Sequence, residues 1–207
     1  MTLTSRKKRP LNRKIPSLRD ATLIIIATEG EKTEKQYFDG LFKSTKVQVI
    51  VLPTVDHRSA PKYVYGRLYD FKKEYDLDKN DELWLMIDID RWKTDEISII
   101  ANNSLKKGFN LAVSNPCFEL WLYLHHSELS KLEKYECDYF ASQLKILLGS
   151  YNKSNININM FRGKEKTAIG RAKKLHKNPD EKWPSSTGTH VYKVVEKILE
   201  LINTDKC

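Results

Sequence analysis

The chain has 207 residues, 40% of them hydrophobic, which suffices for one compact core and is short for two independent domains. No apolar stretch reaches the length of a membrane span and no hydrophobic signal core follows the first residues, so we expect a cytoplasmic protein with no membrane contact. A formal charge of +9 favours a polyanionic partner, although charge alone does not separate nucleic acid from an anionic membrane surface or from simple solubility.

Basic residues gather at both ends of the chain. Residues 1–19 contain seven Lys or Arg residues and no acid, and we predict a basic N-terminal arm that is either a solvated tail or a phosphate contact. The cysteines, Cys117, Cys137 and Cys207, form no CxxC pair, which argues against a disulfide framework and against a zinc site. They are predicted to be reduced and without a role.

Hydrophobic patterning predicts alternating strands and helices as far as residue 130. Strands are predicted at 22–28, 47–52, 82–90 and 109–114, and helices at 33–43, 59–75, 96–107 and 116–126. The second helix has Ser59 as its predicted cap and Pro61 in its first turn. Because right-handed crossovers pack helices on both faces, this order indicates an α/β fold with a mostly parallel sheet flanked by helices.

Helical patterns alone follow residue 130. We expect helices within 134–148, 165–177 and 188–202, with a polar and mobile loop at 150–159. The sequence therefore predicts three parts: the arm at 1–19, a core at 20–130, and a helical extension at 131–207 packed on that core. His125 and His126, at the end of a helix, are expected at the surface.

Carboxylates follow two of the predicted strands. Glu29 comes directly after the first strand, and Asp88 and Asp90 end the third. Residues two apart on a strand point to the same face, so Asp88 and Asp90 are predicted to project together. Ligands of open parallel sheets gather at the carboxyl ends of the strands. If the first and third strands are neighbours, the three carboxylates meet there.

Three such carboxylates call for a cation, because like charges a few ångströms apart cost about 4 kcal/mol per pair at an effective dielectric of 20. Ligation by oxygen alone selects Mg²⁺ or Mn²⁺, and a metal-loaded cluster suits a phosphate substrate. The alternative is that the two aspartates only end a strand and cap a helix, and that Glu29 belongs to a turn.

Several other polar residues are candidates for the same site. Lys32 and Arg91 are predicted to neutralise charge on a scissile phosphate. Glu31, Glu34 and Glu119 are candidates for a second layer of ligation. A basic face on and before the helix at 165–177 is predicted to hold a nucleic-acid backbone, through Arg162, Lys164, Lys166, Arg171, Lys173 and Lys174.

Four segments carry a family resemblance: EGEKTEKQYF, MIDIDRW, SNPCFELWLYLHH and PSSTGTHVYKVVEKIL. Over residues 20–200 they resemble the RloB-like family, and the carboxylate pattern resembles the Toprim domain, a Rossmann-like fold. The resemblance implies that Glu29, Asp88 and Asp90 bind Mg²⁺, with Glu29 also acting as general acid or base. One departure is Ile89, which stands where an Arg is common, with Arg91 following instead.

The resemblance also implies a function. Related proteins are often encoded beside an ATPase in phage-defence loci, so we expect an Mg²⁺-dependent endonuclease that is the toxic effector of an antiviral system. An ABC-type or AAA-type ATPase would control it, its substrate would be DNA or RNA, including tRNA, and it could form an oligomer. Two alternatives remain: a catalytically inactive adaptor subunit of the ATPase, and a small-phosphoester hydrolase.

Overall fold

A computed structural model describes residues 21–56, 58–129, 134–178 and 180–203, so the predicted basic arm lies outside the described residues. The strands of the described chain are β1 (Thr22–Thr28), β2 (Val47–Leu52), β3 (Glu82–Asp88), β4 (Asn110–Asn115) and β5 (Gly188–Thr189). The helices are α1 (Thr33–Leu41), α2 (Pro61–Glu74), α3 (Thr94–Lys106), α4 (Phe118–Leu124), α5 (Cys137–Leu148), α6 (Glu165–Leu175) and α7 (Val191–Asn203).

The strands form one sheet in the order β2-β1-β3-β4-β5. The first four are parallel, and β5 pairs antiparallel with β4. The chain runs from β1 to β2 and then returns to the other side of β1, so the crevice between β1 and β3 is a topological switch point. Strands β1 and β3 are therefore neighbours, which is the condition under which Glu29 was expected to meet the two aspartates.

Side chains of β1 alternate between two cores. Leu23, Ile25 and Ala27 pack with α2 and α3, whereas Ile24 and Ile26 pack with α1 and with α4 to α7. Covering of both faces explains why the parallel strands are almost wholly apolar. The predicted α/β architecture, with a mostly parallel sheet between helices, is confirmed. No helix of the described chain is long and apolar enough to cross a bilayer.

Two local predictions differ from the structure. Helix α2 begins at Pro61 after Ala60, and no side chain caps it, so the prediction of Ser59 as the cap was wrong. Proline at the first helical position already has the helical φ angle. It also has no N–H group that would need an acceptor, so the helix can begin there without a capping side chain. Strand β5 was missed because two residues are too few to show any periodicity.

His125 is buried inside the protein and does not lie at the surface, where it was expected. It is 2% exposed, its Nδ1 lies 3.0 Å from the carbonyl oxygen of Trp121, and its Nε2 lies 3.0 Å from the hydroxyl of Tyr37. A carbonyl only accepts, so Nδ1 carries the proton and Tyr37 donates to Nε2. Burial lowers the pKa of His125 to about 3, which keeps the ring neutral. His126 is half-buried beside Lys164.

Candidate metal centre

The turn after β1 is fixed by backbone contacts. The N–H of Glu29 donates to the carbonyl of Met86 in β3, at 3.2 Å. On the β2 side, the N–H of Thr54 donates to the carbonyl of Gly30 at 3.2 Å, and the Nη2 of Arg67 donates to the carbonyl of Thr28 at 2.7 Å. The tip of β1 is therefore held from both neighbouring strands.

Gly30 is required by a close approach of α1. Its N–H donates to the Oε1 of Glu34 at 3.0 Å, and a Cβ atom at position 30 would lie 2.1 Å from the Oε2 of the same carboxylate. The turn and the first helix therefore lie in direct contact. This contact also accounts for the burial of Glu34, a candidate for the second layer of ligation, in the first turn of α1.

Glu29 is held as a hydrogen-bond acceptor. The indole N–H of Trp92 lies 3.1 Å from both of its carboxylate oxygens, and the N–H of Asp88 donates to Oε2 at 3.2 Å. Burial raises the pKa of Glu29 from 4.5 to about 7, because desolvation outweighs these two hydrogen bonds. The Glu29 carboxyl group therefore changes charge near neutral pH.

Asp88 has no partner for its charge. It is the last residue of β3 and continues the row of Trp84 and Met86, which faces the core formed with α1 and α4. No residue of the described chain donates a hydrogen bond to its carboxylate. Burial raises its pKa well above the ordinary value, and Glu29, Glu34 and Glu119 raise it further. Such a carboxylate needs a proton or an added cation.

Asp90 is not paired with Asp88 by strand alternation. Strand β3 ends at Asp88, and the next two backbone N–H groups turn towards the carbonyl of Pro116, at 3.1 and 3.3 Å. The reason predicted for their pairing was therefore wrong, although both side chains line the same cavity. The Oδ2 of Asp90 instead lies 3.3 Å from the Sγ of Cys137 and 3.5 Å from the Nε of Arg91.

These residues line a cavity of about 510 Å³ at the carboxyl ends of β1 and β3. Eight carboxylates face three cationic side chains there, a formal charge of −5 in a chain whose total is +9. The carboxylates belong to Glu29, Glu31, Glu34, Asp88, Asp90, Glu119, Glu136 and Asp138, and the cations to Lys32, Arg91 and Lys153. An acidic cavity in a basic protein is suited to a divalent cation.

Every residue predicted for the centre or its second layer lines this cavity. Glu34 and Glu119 are 5% exposed, whereas Glu31 and Lys32 lie at the exposed rim. The side chain of Arg91 is 71% exposed. Among the described residues, no three Asp, Glu, His or Cys side chains are grouped in a way that would hold a metal ion without rearrangement.

Sequence reasoning missed three contributors. Trp92, which follows the acidic motif, positions Glu29. The other two come from the segment predicted to be a mobile loop: the Tyr151 hydroxyl donates to the Oε1 of Glu119 at 3.1 Å, and the Nζ of Lys153 lies 2.8 Å from the same oxygen. No spacing or motif marked this loop, because only the packing of the chain brings it to the cavity.

The cysteines are closer to the centre than predicted. Cys117 and Cys137 are free, both line the cavity, and their thiols interact with each other. Contact with Cys137 and burial raise the pKa of the Cys117 thiol. Cys137 also approaches Asp90, so both thiols lie beside the candidate ligands, and the absence of a role for them stays a prediction. Cys207 lies outside the described residues.

The predicted basic face does not reach this cavity, since none of its six residues lines it. Two of its arginines bond backbone carbonyls, Arg162 that of Gly40 and Arg171 that of Leu124, both at 2.8 Å. The lysines of this face differ in their contacts. Lys164 contacts His126, Lys173 pairs with Glu196, Lys174 pairs with Glu128, and Lys166 is exposed. Much of this charge is therefore already engaged within the fold.

The sheet order and the acidic cavity at the switch point define an α/β protein with a candidate divalent-cation site at the carboxyl ends of β1 and β3. The family model of RloB-like proteins matches residues 24–198, and the chain belongs to that family. No curated protein and no solved structure matches the chain.

Proposed function

We propose that this protein is an Mg²⁺- or Mn²⁺-dependent endonuclease, the effector of an antiviral system that an ABC-type or AAA-type ATPase controls. The observation that carries the proposal is Asp88, a carboxylate that lines the cavity, accepts no hydrogen bond from the described residues and is repelled by Glu29, Glu34 and Glu119. A proton or a cation would relieve that repulsion. Family membership and the positive charge of the chain support a nucleic-acid substrate, DNA or RNA, with tRNA among the candidates.

The residues of the cavity fit an oxygen-coordinated divalent cation. Asp88, Asp90 and Glu29 would hold it, and once bound it would polarise the phosphate and stabilise a developing alkoxide. Glu29 would also act as general acid or base, as the family resemblance implies; burial raises its pKa to about 7 in the metal-free cavity, and a bound cation would lower that pKa. Lys32 and Arg91, at the rim of the cavity, would contact the flanking phosphate oxygens.

The experiment is cleavage of DNA and of total tRNA by the purified chain, alone and with its ATPase, in Mg²⁺ or in EDTA. We expect cutting that needs metal and disappears in Asp88→Asn. Asp70→Asn is the matched control, because Asp70 is an exposed aspartate of α2 outside the cavity. Equal metal-dependent cleavage by wild type and Asp88→Asn would reject the proposed centre.

One observation favours a second candidate, an adaptor without catalysis. The Glu29 carboxylate is engaged by Trp92 and by the backbone of Asp88, and the described residues contain no preformed group of three ligands. An adaptor would bind nucleic acid with a steep salt dependence and bind the ATPase, yet would cut nothing in any metal. Binding without cleavage in the presence of the active ATPase would favour it.

A further inference from the structure

The loop between α5 and α6 brings a cation into the acidic cavity. Two bonds anchor the loop to α1: the Thr33 hydroxyl donates to the carbonyl of Lys153 at 2.8 Å, and the N–H of Ile156 donates to the side chain of Gln36 at 3.0 Å. Ile156 is itself buried in the core. The backbone position of Lys153 is therefore set by the fold and does not depend on its side chain.

The ammonium group of Lys153 neutralises one half of the cavity. It lies 2.8 Å from the Oε1 of Glu119, and Tyr151 donates to the same oxygen. The Glu119 side chain is 6% exposed, whereas that of Lys153 is 55% exposed and reaches the cavity from its rim. Burial raises the pKa of Glu34, the adjacent carboxylate, and Glu119 raises it further, whereas Lys153 opposes both. Burial lowers the pKa of Lys153, but attraction by Glu119 outweighs burial and keeps the amine charged.

The other half of the cavity is compensated less closely by the described residues. Asp88 has no cationic partner among them. Arg91 pairs with Asp90 at 3.5 Å and lowers the pKa of Glu29, but its side chain is 71% exposed. The half formed by Glu29, Asp88 and Asp90 thus has only an exposed arginine at its rim, whereas Glu119 has an ammonium group in direct contact.

We infer that Lys153 is a built-in counter-ion that takes the place of a second divalent cation, so that the cavity binds one metal ion and not two. The inference rests on the proposed function for the first ion. Two-metal centres place their ions about 3.5–4 Å apart on shared carboxylates. A lysine ammonium is a compact point charge that takes up such a position without dehydrating a metal ion. Glu34 and Glu119 then have the Lys153 ammonium as their cation and do not bind a metal ion from solution.

The test counts Mn²⁺ ions bound per chain by equilibrium dialysis of the full-length protein. Wild type is expected to bind one Mn²⁺ ion. Lys153→Met removes the charge and is expected to bind two, and Lys153→Arg, which keeps it, one. The double variant Lys153→Met with Glu34→Gln is expected to return to one. Two ions in wild type, or one in Lys153→Met, would overturn the inference.

Lys35→Met is the matched control, because Lys35 also forms an ion pair, with Asp39, but lies outside this cavity. It is expected to leave the count at one. Thermal melting in EDTA checks that each variant folds, and Lys153→Gln, which also removes the charge, is counted in the same way where Lys153→Met does not fold. Two ions in wild type overturn the inference whichever variant folds. Zero ions in wild type rejects the metal centre itself, and this inference with it, whereas one ion without nuclease activity leaves the inference standing and rejects only the activity.

Discussion

The buried Glu29 carboxyl group is expected to make the metal-free protein less stable as the pH rises. Burial raises the pKa of Glu29 from 4.5 to about 7 in the folded chain. Between pH 4.5 and about pH 7, the folded state therefore keeps a proton on Glu29 that the unfolded state has lost. The resulting stabilisation is complete below the unfolded pKa and disappears as the pH rises through about 7. Asp88, whose pKa is also raised, acts in the same direction.

The magnitude follows from the two pKa values. The difference between 4.5 and about 7 corresponds to about 3 kcal/mol in the free energy of unfolding at high pH. Between pH 5.5 and pH 8 the loss from Glu29 alone is about 2 kcal/mol. For a domain of this size, 1 kcal/mol changes the melting temperature by about 2–4 °C. We therefore expect a decrease of roughly 4–8 °C from this residue.

The assay is thermal denaturation followed by circular dichroism in EDTA at pH 5.5 and pH 8. Comparison with Glu29→Gln isolates the residue, because glutamine keeps an acceptor for Trp92 and does not titrate. Glu31→Gln is the control, since Glu31 is an exposed carboxylate at the rim of the same cavity. Adding Mg²⁺ at pH 8 should restore stability to wild type. A decrease in melting temperature that is equal in wild type and Glu29→Gln would refute the reasoning.

Three further substitutions test the cavity. Asp88→Asn removes a half-buried charge that repels its neighbouring carboxylates and has no donor among the described residues, so its melting temperature in EDTA at pH 8 should exceed that of wild type, and Mg²⁺ should no longer raise it; a lower value would contradict the assignment. Trp92→Phe removes both indole hydrogen bonds to Glu29, which should raise the pKa of Glu29 and weaken Mn²⁺ binding several-fold in equilibrium dialysis; unchanged binding would count against a positioning role. Gly30→Ala places a methyl group against a carboxylate of α1 and should destabilise the fold by about 1–3 kcal/mol in thermal melts, whereas Gly66→Ala, in open space within α2, should be neutral or stabilising.

Much of the fold was predictable because apolar periodicity is a local signal. The run at 22–28 became β1 with its predicted bounds, and the helix predicted at 59–75 is present as α2, with Val64, Leu68 and Phe71 buried at helical spacing. Strand order was not predictable, because the sequence does not state which strands pair. Local patterning also failed at the end of β3, where backbone bonds to Pro116 end the strand earlier than the apolar run suggests.

The residues of the candidate site also divide into those that the sequence could predict and those that it could not. Glu29, Asp88 and Asp90 were predicted to meet because carboxylates follow two apolar strands and strand ends are where ligands gather, and all three line one cavity. The contacts of Trp92 and Lys153 were not predictable, since their partners are 63 and 34 residues away in the chain. His125 was placed wrongly for the same reason, because its partner Tyr37 belongs to another helix.

The sequence by itself determined the four parallel strands, the main helices, and that acidic residues follow β1 and β3, because each depends on neighbouring residues in the chain. Only the tertiary structure decided that Asp88 has no cationic partner among the described residues while Glu119 has Lys153. Burial and the pairing of charges depend on which distant segments pack together, and packing alone brings the 150–159 loop to the cavity. That packing is what places an ammonium group against Glu119 and none of the described cations against Asp88.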